Sequence, residues 1–211
     1  MRTNKIVATF CALILGLCSV SVGQTFFDFS GWDDTLIQGG GQTFTDIVGN
    51  VDVTVTTFGS FTSTSASLNG TTINTDHATP NSASLRFIFS QPLDLVIATK
   101  TVDADEVHSI FAVGSESYTN QSGANPTVTP VGSGIAIAGT SFGINPTGAS
   151  FGETTTGPSS VLTLTYEALN TEKFGQWMIG GTVVVPEPNS VALLGIGGLG
   201  MLMQFRRKRR A

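Results

Sequence analysis

Leu85-Arg86-Phe87-Ile88-Phe89-Ser90-Gln91-Pro92-Leu93-Asp94-Leu95-Val96-Ile97-Ala98 decides the fold class. Leu85, Phe87 and Phe89 alternate with Arg86, Ile88 and Ser90, and Leu93, Leu95 and Ile97 resume the period beside Asp94, Val96 and Ala98. Side chains two apart share one face of a strand, so each run predicts a strand with a core-facing side. Ser90-Gln91-Pro92 interrupts the period, and proline removes a ladder donor. The break predicts a reversal that joins the two runs as an antiparallel pair.

The same period spreads outward. Val51, Val53 and Val55 alternate with Asp52, Thr54 and Thr56; Leu162, Leu164 and Tyr166 alternate with Val161, Thr163 and Thr165; Ile135 and Ile137 alternate with Ala136 and Ala138. Val107 to Val113 is an apolar run expected to be buried on nearly both faces, and Gly175 to Val185, with Trp177 and Ile179, reads as the last strand. Gly39-Gly40-Gly41, Asn69-Gly70, Thr79-Pro80-Asn81, Asn125-Pro126, Asn145-Pro146 and Gly157-Pro158 supply the fixed or positive φ of tight turns. No segment longer than about ten residues keeps helical spacing with a cap. The expectation is all-β: an antiparallel, jelly-roll-like β-sandwich.

The two ends have a different composition from the body. Arg2 and Lys5 precede an apolar run from Ile6 to Leu17, and Ser21 and Gly23 stand at −3 and −1 of a cut before Gln24, so residues 1–23 read as a secretory signal peptide. Lipidation at Cys18 is the alternative, but Leu17 stands where a small residue is expected. Cys11 and Cys18 are the two cysteines, both inside this segment, so the body has no disulfide. Residues 24–185 form one 162-residue domain, long enough for a sizeable core. Within it Arg86, Lys100 and Lys173 face fourteen acids, a net charge of −11. Such a surface repels phosphate backbones, which disfavours nucleic acid as a partner.

Candidate chemistry in the body is sparse. Asp103, Asp105 and Glu106 put three carboxylates in four residues between two strands, the donor type that calcium takes, without EF-hand spacing. Asp33 and Asp34 are further oxygen donors; a solvated acidic loop is the plainer account. Trp32 beside them, and Tyr118, are candidates for stacking on a sugar ring, although aromatics in a small domain more often fill the core. Gly139-Thr140-Ser141-Phe142-Gly143 matches the nucleophile-elbow pattern, but the two histidines, His77 and His108, both precede Ser141, and no helix is expected to follow. His108 reads as structural. Fourteen acids offer many carboxylate pairs for glycoside hydrolysis and nothing selects one. Asn69-Gly70-Thr71 and Asn120-Gln121-Ser122 match glycosylation sequons by chance.

Residues 186–211 have three parts. Pro186-Glu187-Pro188 is a rigid, extended tripeptide. Asn189 to Phe205 is uncharged for 17 residues, roughly 25 Å as a helix and a little short of the ~30 Å hydrocarbon core. Arg206, Arg207, Lys208, Arg209 and Arg210 follow. Each costs about 2.5–3.5 kcal/mol at the bilayer centre, so they stay cytoplasmic and the domain lies on the far side of a single membrane-spanning helix. Gly195-Ile196-Gly197-Gly198-Leu199-Gly200 imitates a dinucleotide fingerprint, without the strand, helix or acid that motif needs.

Val185, Pro186, Glu187 and Pro188, the Gly-rich span and the basic terminus together resemble the PEP-CTERM sorting signal of Gram-negative bacteria. The resemblance implies an exosortase, a membrane transpeptidase-like protease, as processing partner, and an association with exopolysaccharide. It implies transient anchoring through the tail, then placement at the cell surface or outside it. An ordinary tail anchor is the alternative; a GPI signal would end apolar, and a sortase signal would carry an LPxTG-type motif. Three functions follow as expectations: a non-enzymatic surface or matrix protein, a calcium-dependent carbohydrate-binding module, or a hydrolase acting on matrix polysaccharide.

Overall fold

The computed structural model describes residues 25–59, 61–68, 70–76, 81–112, 116–142, 149–168 and 174–184. The expected signal peptide and the tail from Val185 onward lie outside the described residues, as do Asn69, His77 and Gly143. Among the described residues no helix is long and apolar enough to cross a membrane.

The chain is mostly antiparallel β-sheet. The strands are β1 (Thr25–Phe26), β2 (Gln42–Val48), β3 (Val51–Phe58), β4 (Ser63–Ser67), β5 (Thr72–Asp76), β6 (Asn81–Val102), β7 (Glu106–Ala112), β8 (Ser117–Ser122), β9 (Thr127–Val131), β10 (Gly134–Ala138), β11 (Ser150–Ala168) and β12 (Phe174–Val183). They join one sheet with the main order β4-β5-β12-β6-β11-β7-β10-β9. One short helix, α1 (Asp34–Gly39), is capped by the Asp33 carboxylate, which accepts the Thr35 and Leu36 N–H groups. Gly40, at φ 143°, ends it, and Ile37 is its buried residue. A six-residue helix is stable only through such caps and tertiary packing.

The decisive stretch corrects the expectation of a hairpin. Residues 85–98 lie on one strand, β6, antiparallel to β11 from Asn81↔Ala168 to Val102↔Ser150. Between Ile88↔Val161 and Leu93↔Ser159 the β6 side carries Phe89 to Pro92 against Ser160 alone. The break is a bulge, not a turn: Ser90 and Pro92 are exposed there, where a missing N–H is harmless. The bulge also changes the neighbours. Before it β6 pairs with β3, and after it with β12. Likewise β11 pairs with β8 near its start and with β7 near its end.

β6 and β11 therefore serve two half-sheets with one core. Trp177 on β12 and His108 on β7 have ring centroids 5.2 Å apart, yet their strands are three places apart in the sheet. In a flat sheet that separation would be about 14 Å, so the sheet curls and brings these faces together. The segment from β1 to α1 fills the same space: Phe27 meets Phe89, and Phe29 meets Phe44 and Phe87. Leu85, Phe87, Leu95, Ile97, Leu162, Leu164 and Ile179 complete the buried centre, as their period predicts.

β7 also differs from expectation. It alternates strictly, with Glu106, His108, Ile110 and Ala112 buried and Val107, Ser109 and Phe111 half-buried. The apolar run is thus not buried on both faces, and its core face begins with two titratable residues.

Candidate functional site

Trp32 is half-buried and belongs to the core rim. Its ring is edge-on to Phe29 and tilted against Phe44, each at 5.9 Å between centroids. Its Nε1–H donates to Thr64 Oγ1 at 3.0 Å. Asp34 accepts the Thr64 N–H at 2.7 Å and the Thr64 hydroxyl, and also holds Gln38 Nε2. The cluster read as a sugar platform is a fastener between α1 and β4: its polar groups bond each other and one ring face lies on Phe44. Tyr118, the second aromatic candidate, is half-buried on β8. Its hydroxyl covers Gly152, where a Cβ would come within 2.3 Å of it.

The acidic segment Asp103-Ala104-Asp105-Glu106 is a tight turn between β6 and β7. Glu106 N–H donates to Asp103 O at 3.0 Å, and Asp103 N–H donates back to Glu106 Oε2 at 2.9 Å. Asp105 and Glu106 are buried. Among the described residues no three Asp, Glu or His side chains gather as a metal-ligand set. The expected calcium ligands Asp103, Asp105 and Glu106 are therefore not brought together for that task, because the Glu106 carboxylate is turned into the core.

There it meets the side chains of Tyr166 and His108, with Trp177 packed behind them. Tyr166 on β11 donates its hydroxyl to Glu106 Oε1 at 2.8 Å. His108 Nε2 stands 3.5 Å from Glu106 Oε2. The His108 ring lies edge-on between Tyr166, 5.1 Å away, and Trp177. Register explains the meeting, since Tyr166 and His108 are directly opposed across β11 and β7. Glu106 is 2% exposed and His108, Tyr166 and Trp177 are 0% exposed. A general acid or base must reach its substrate's proton directly or through one water; this set is enclosed, and its geometry serves to bind β7, β11 and β12 together. Glu106 as its centre was missed in the sequence. The available signal was its i, i+2 spacing with His108, in phase with Ile110 on one strand face.

The nucleophile-elbow pattern dissolves in the same region. Gly139 N–H donates to Glu106 O at 3.2 Å, and a Cβ on Gly139 would lie 1.9 Å from Asp103 O. This glycine permits backbone contact with the acidic turn. Ser141 is half-buried in an irregular segment after β10, and His108 is enclosed in the core.

Function therefore enters from the other end. β12 delivers the chain at Val183 to a sequence of Pro-Glu-Pro, an uncharged run and a basic terminus, the three parts of a C-terminal sorting signal. Residues 184–210 match the PEP-CTERM protein-sorting motif, and the remainder has no family match. The motif marks an exported protein sorted by an exosortase-type enzyme toward the cell surface. No curated protein matches the chain.

Proposed function

We propose that this chain is a non-enzymatic structural or adhesive protein of the cell surface or exopolysaccharide matrix. The secretory pathway exports residues 24–185, which fold as a curled, sandwich-like β domain. The tail holds them transiently to the membrane, and an exosortase-type enzyme cuts near Pro186–Pro188. The match of residues 184–210 carries the sorting part of this reading. The acidic, cysteine-free body supports it, since it holds together by burial and suits an oxidising exterior.

Replacing Pro186, Glu187 and Pro188 together by alanine tests it by cell fractionation. The variant should stay with the membrane fraction while the unaltered protein moves to the surface or medium. Equal distribution of the two would sink the sorting reading. A panel of matrix polysaccharides separates the structural role from its rivals: turnover abolished by one carboxylate substitution would make the protein a hydrolase, and chelator-sensitive binding would make it a calcium-dependent carbohydrate module.

A further inference from the structure

We infer that the exposed corner where β12 ends is a docking surface for the processing enzyme, so that the enzyme reads the folded domain as well as the tail peptide. The inference rests on the sorting reading above and adds a second contact to it. β12 is paired to its last residue: Thr182 opposes Asp94 and Val183 opposes Leu93 on β6, while Gly180 and Gly181 oppose Phe26 and Thr25 on β1. Pro186 is three residues beyond Val183, and Asn189, where the uncharged run starts, is six beyond. Even fully extended, those spans reach no further than roughly 11 Å and 22 Å. A protease that takes Pro186–Pro188 into a cleft as an extended strand occupies most of that length, so its body must meet the domain.

What it meets is a single small surface. The β2–β3 turn lies against the end of β12, since a Cβ on Gly49 would be 3.8 Å from Val183 Cγ2. The β6 bulge lies beside it, tied to β3 by the Asp52 N–H, which donates to Ser90 Oγ at 3.0 Å. Asn50, Ser90, Pro92 and Asp94 are exposed there. The corner is polar and acidic: Asp94 and Asp46 are exposed, and half-buried Asp52 lies between them beside Ser90. It fits a membrane-embedded protease whose outward face offers hydrogen-bond donors, and it leaves the domain little room to retreat.

The full chain, expressed in a bacterium that processes such tails, tests this by pulse–chase. Asn50→Lys combined with Asp94→Arg adds bulk and reverses the charge without touching a buried group. It should slow tail removal about fivefold, the scale of one lost interface contact. Inserting eight Gly and Ser residues between Val183 and Val184, ahead of the matched motif, should restore the unaltered rate in the same double variant, because the cleft can then work clear of the corner. Cutting of the double variant at the unaltered rate would overturn the inference, and so would a slowing that the insert does not relieve. If the unaltered chain keeps its tail, the sorting reading fails instead, which this comparison shows separately.

Discussion

Trp177 and His108 are in edge-to-face contact at 5.2 Å across strands that are not neighbours in the sheet. This contact closes the curled sheet around its core. Trp177→Ala should cost about 3–5 kcal/mol, because the transfer energy of the ring is lost and a cavity remains. Urea unfolding of residues 24–185 measures it. A loss below about 1 kcal/mol would mean the two faces do not meet there.

Glu106 is the acceptor on which the buried polar cluster depends. Glu106→Ala leaves the Tyr166 hydroxyl and the Asp103 N–H without this partner and should cost roughly 2–4 kcal/mol. Tyr166→Phe should cost only about 1 kcal/mol, since donor and volume change little else. In a double-mutant cycle with Glu106→Gln the pair should couple by at least about 0.5 kcal/mol. Strict additivity would show that the 2.8 Å contact contributes nothing.

The Tyr118 phenol supplies a pH dependence. Burial raises its pKa above the ordinary 10.0, and the nearby Thr99 side chain offsets only part of this. The folded state then keeps a proton that the unfolded chain has released. The stability this gives is complete below the unfolded value of 10.0 and is lost as pH rises through the higher folded value. Urea midpoints should fall as pH rises above 10.0, and Tyr118→Phe should flatten that fall. An equally steep fall in the variant would assign the effect elsewhere.

Gly139 and Ser141 distinguish a packing glycine from a catalytic elbow. Gly139→Ala should destabilise by about 1–3 kcal/mol as the backbone moves away from Asp103. Ser141→Ala should stay within about 0.5 kcal/mol. Thermal unfolding of both variants checks this, and the opposite ranking would contradict the assignment.

The parts legible in the sequence are those that depend on local order. Period 2 placed Val53, Phe87, Ile97 and Leu164 in the core because strand faces alternate without regard to partners. The tail was legible because its three parts are contiguous. Ser90-Gln91-Pro92 was located correctly as a break, but a proline at a bulge and a proline at a turn look alike until the partner strand is known. Glu106, His108 and Trp177 were opaque as a group because they meet only through the pairing of β7 with β11 and the curl of the sheet. Trp32 looked like a ligand platform from its acidic neighbours, whereas Thr64, thirty residues away along the chain, engages Asp34.

The intact mass of the protein recovered from the cell surface and medium tests the central claim most directly. The account predicts a chain that starts near Gln24, ends near Pro186–Pro188 and lacks Arg206 to Arg210. A surface or released chain that still carries those five basic residues would contradict it.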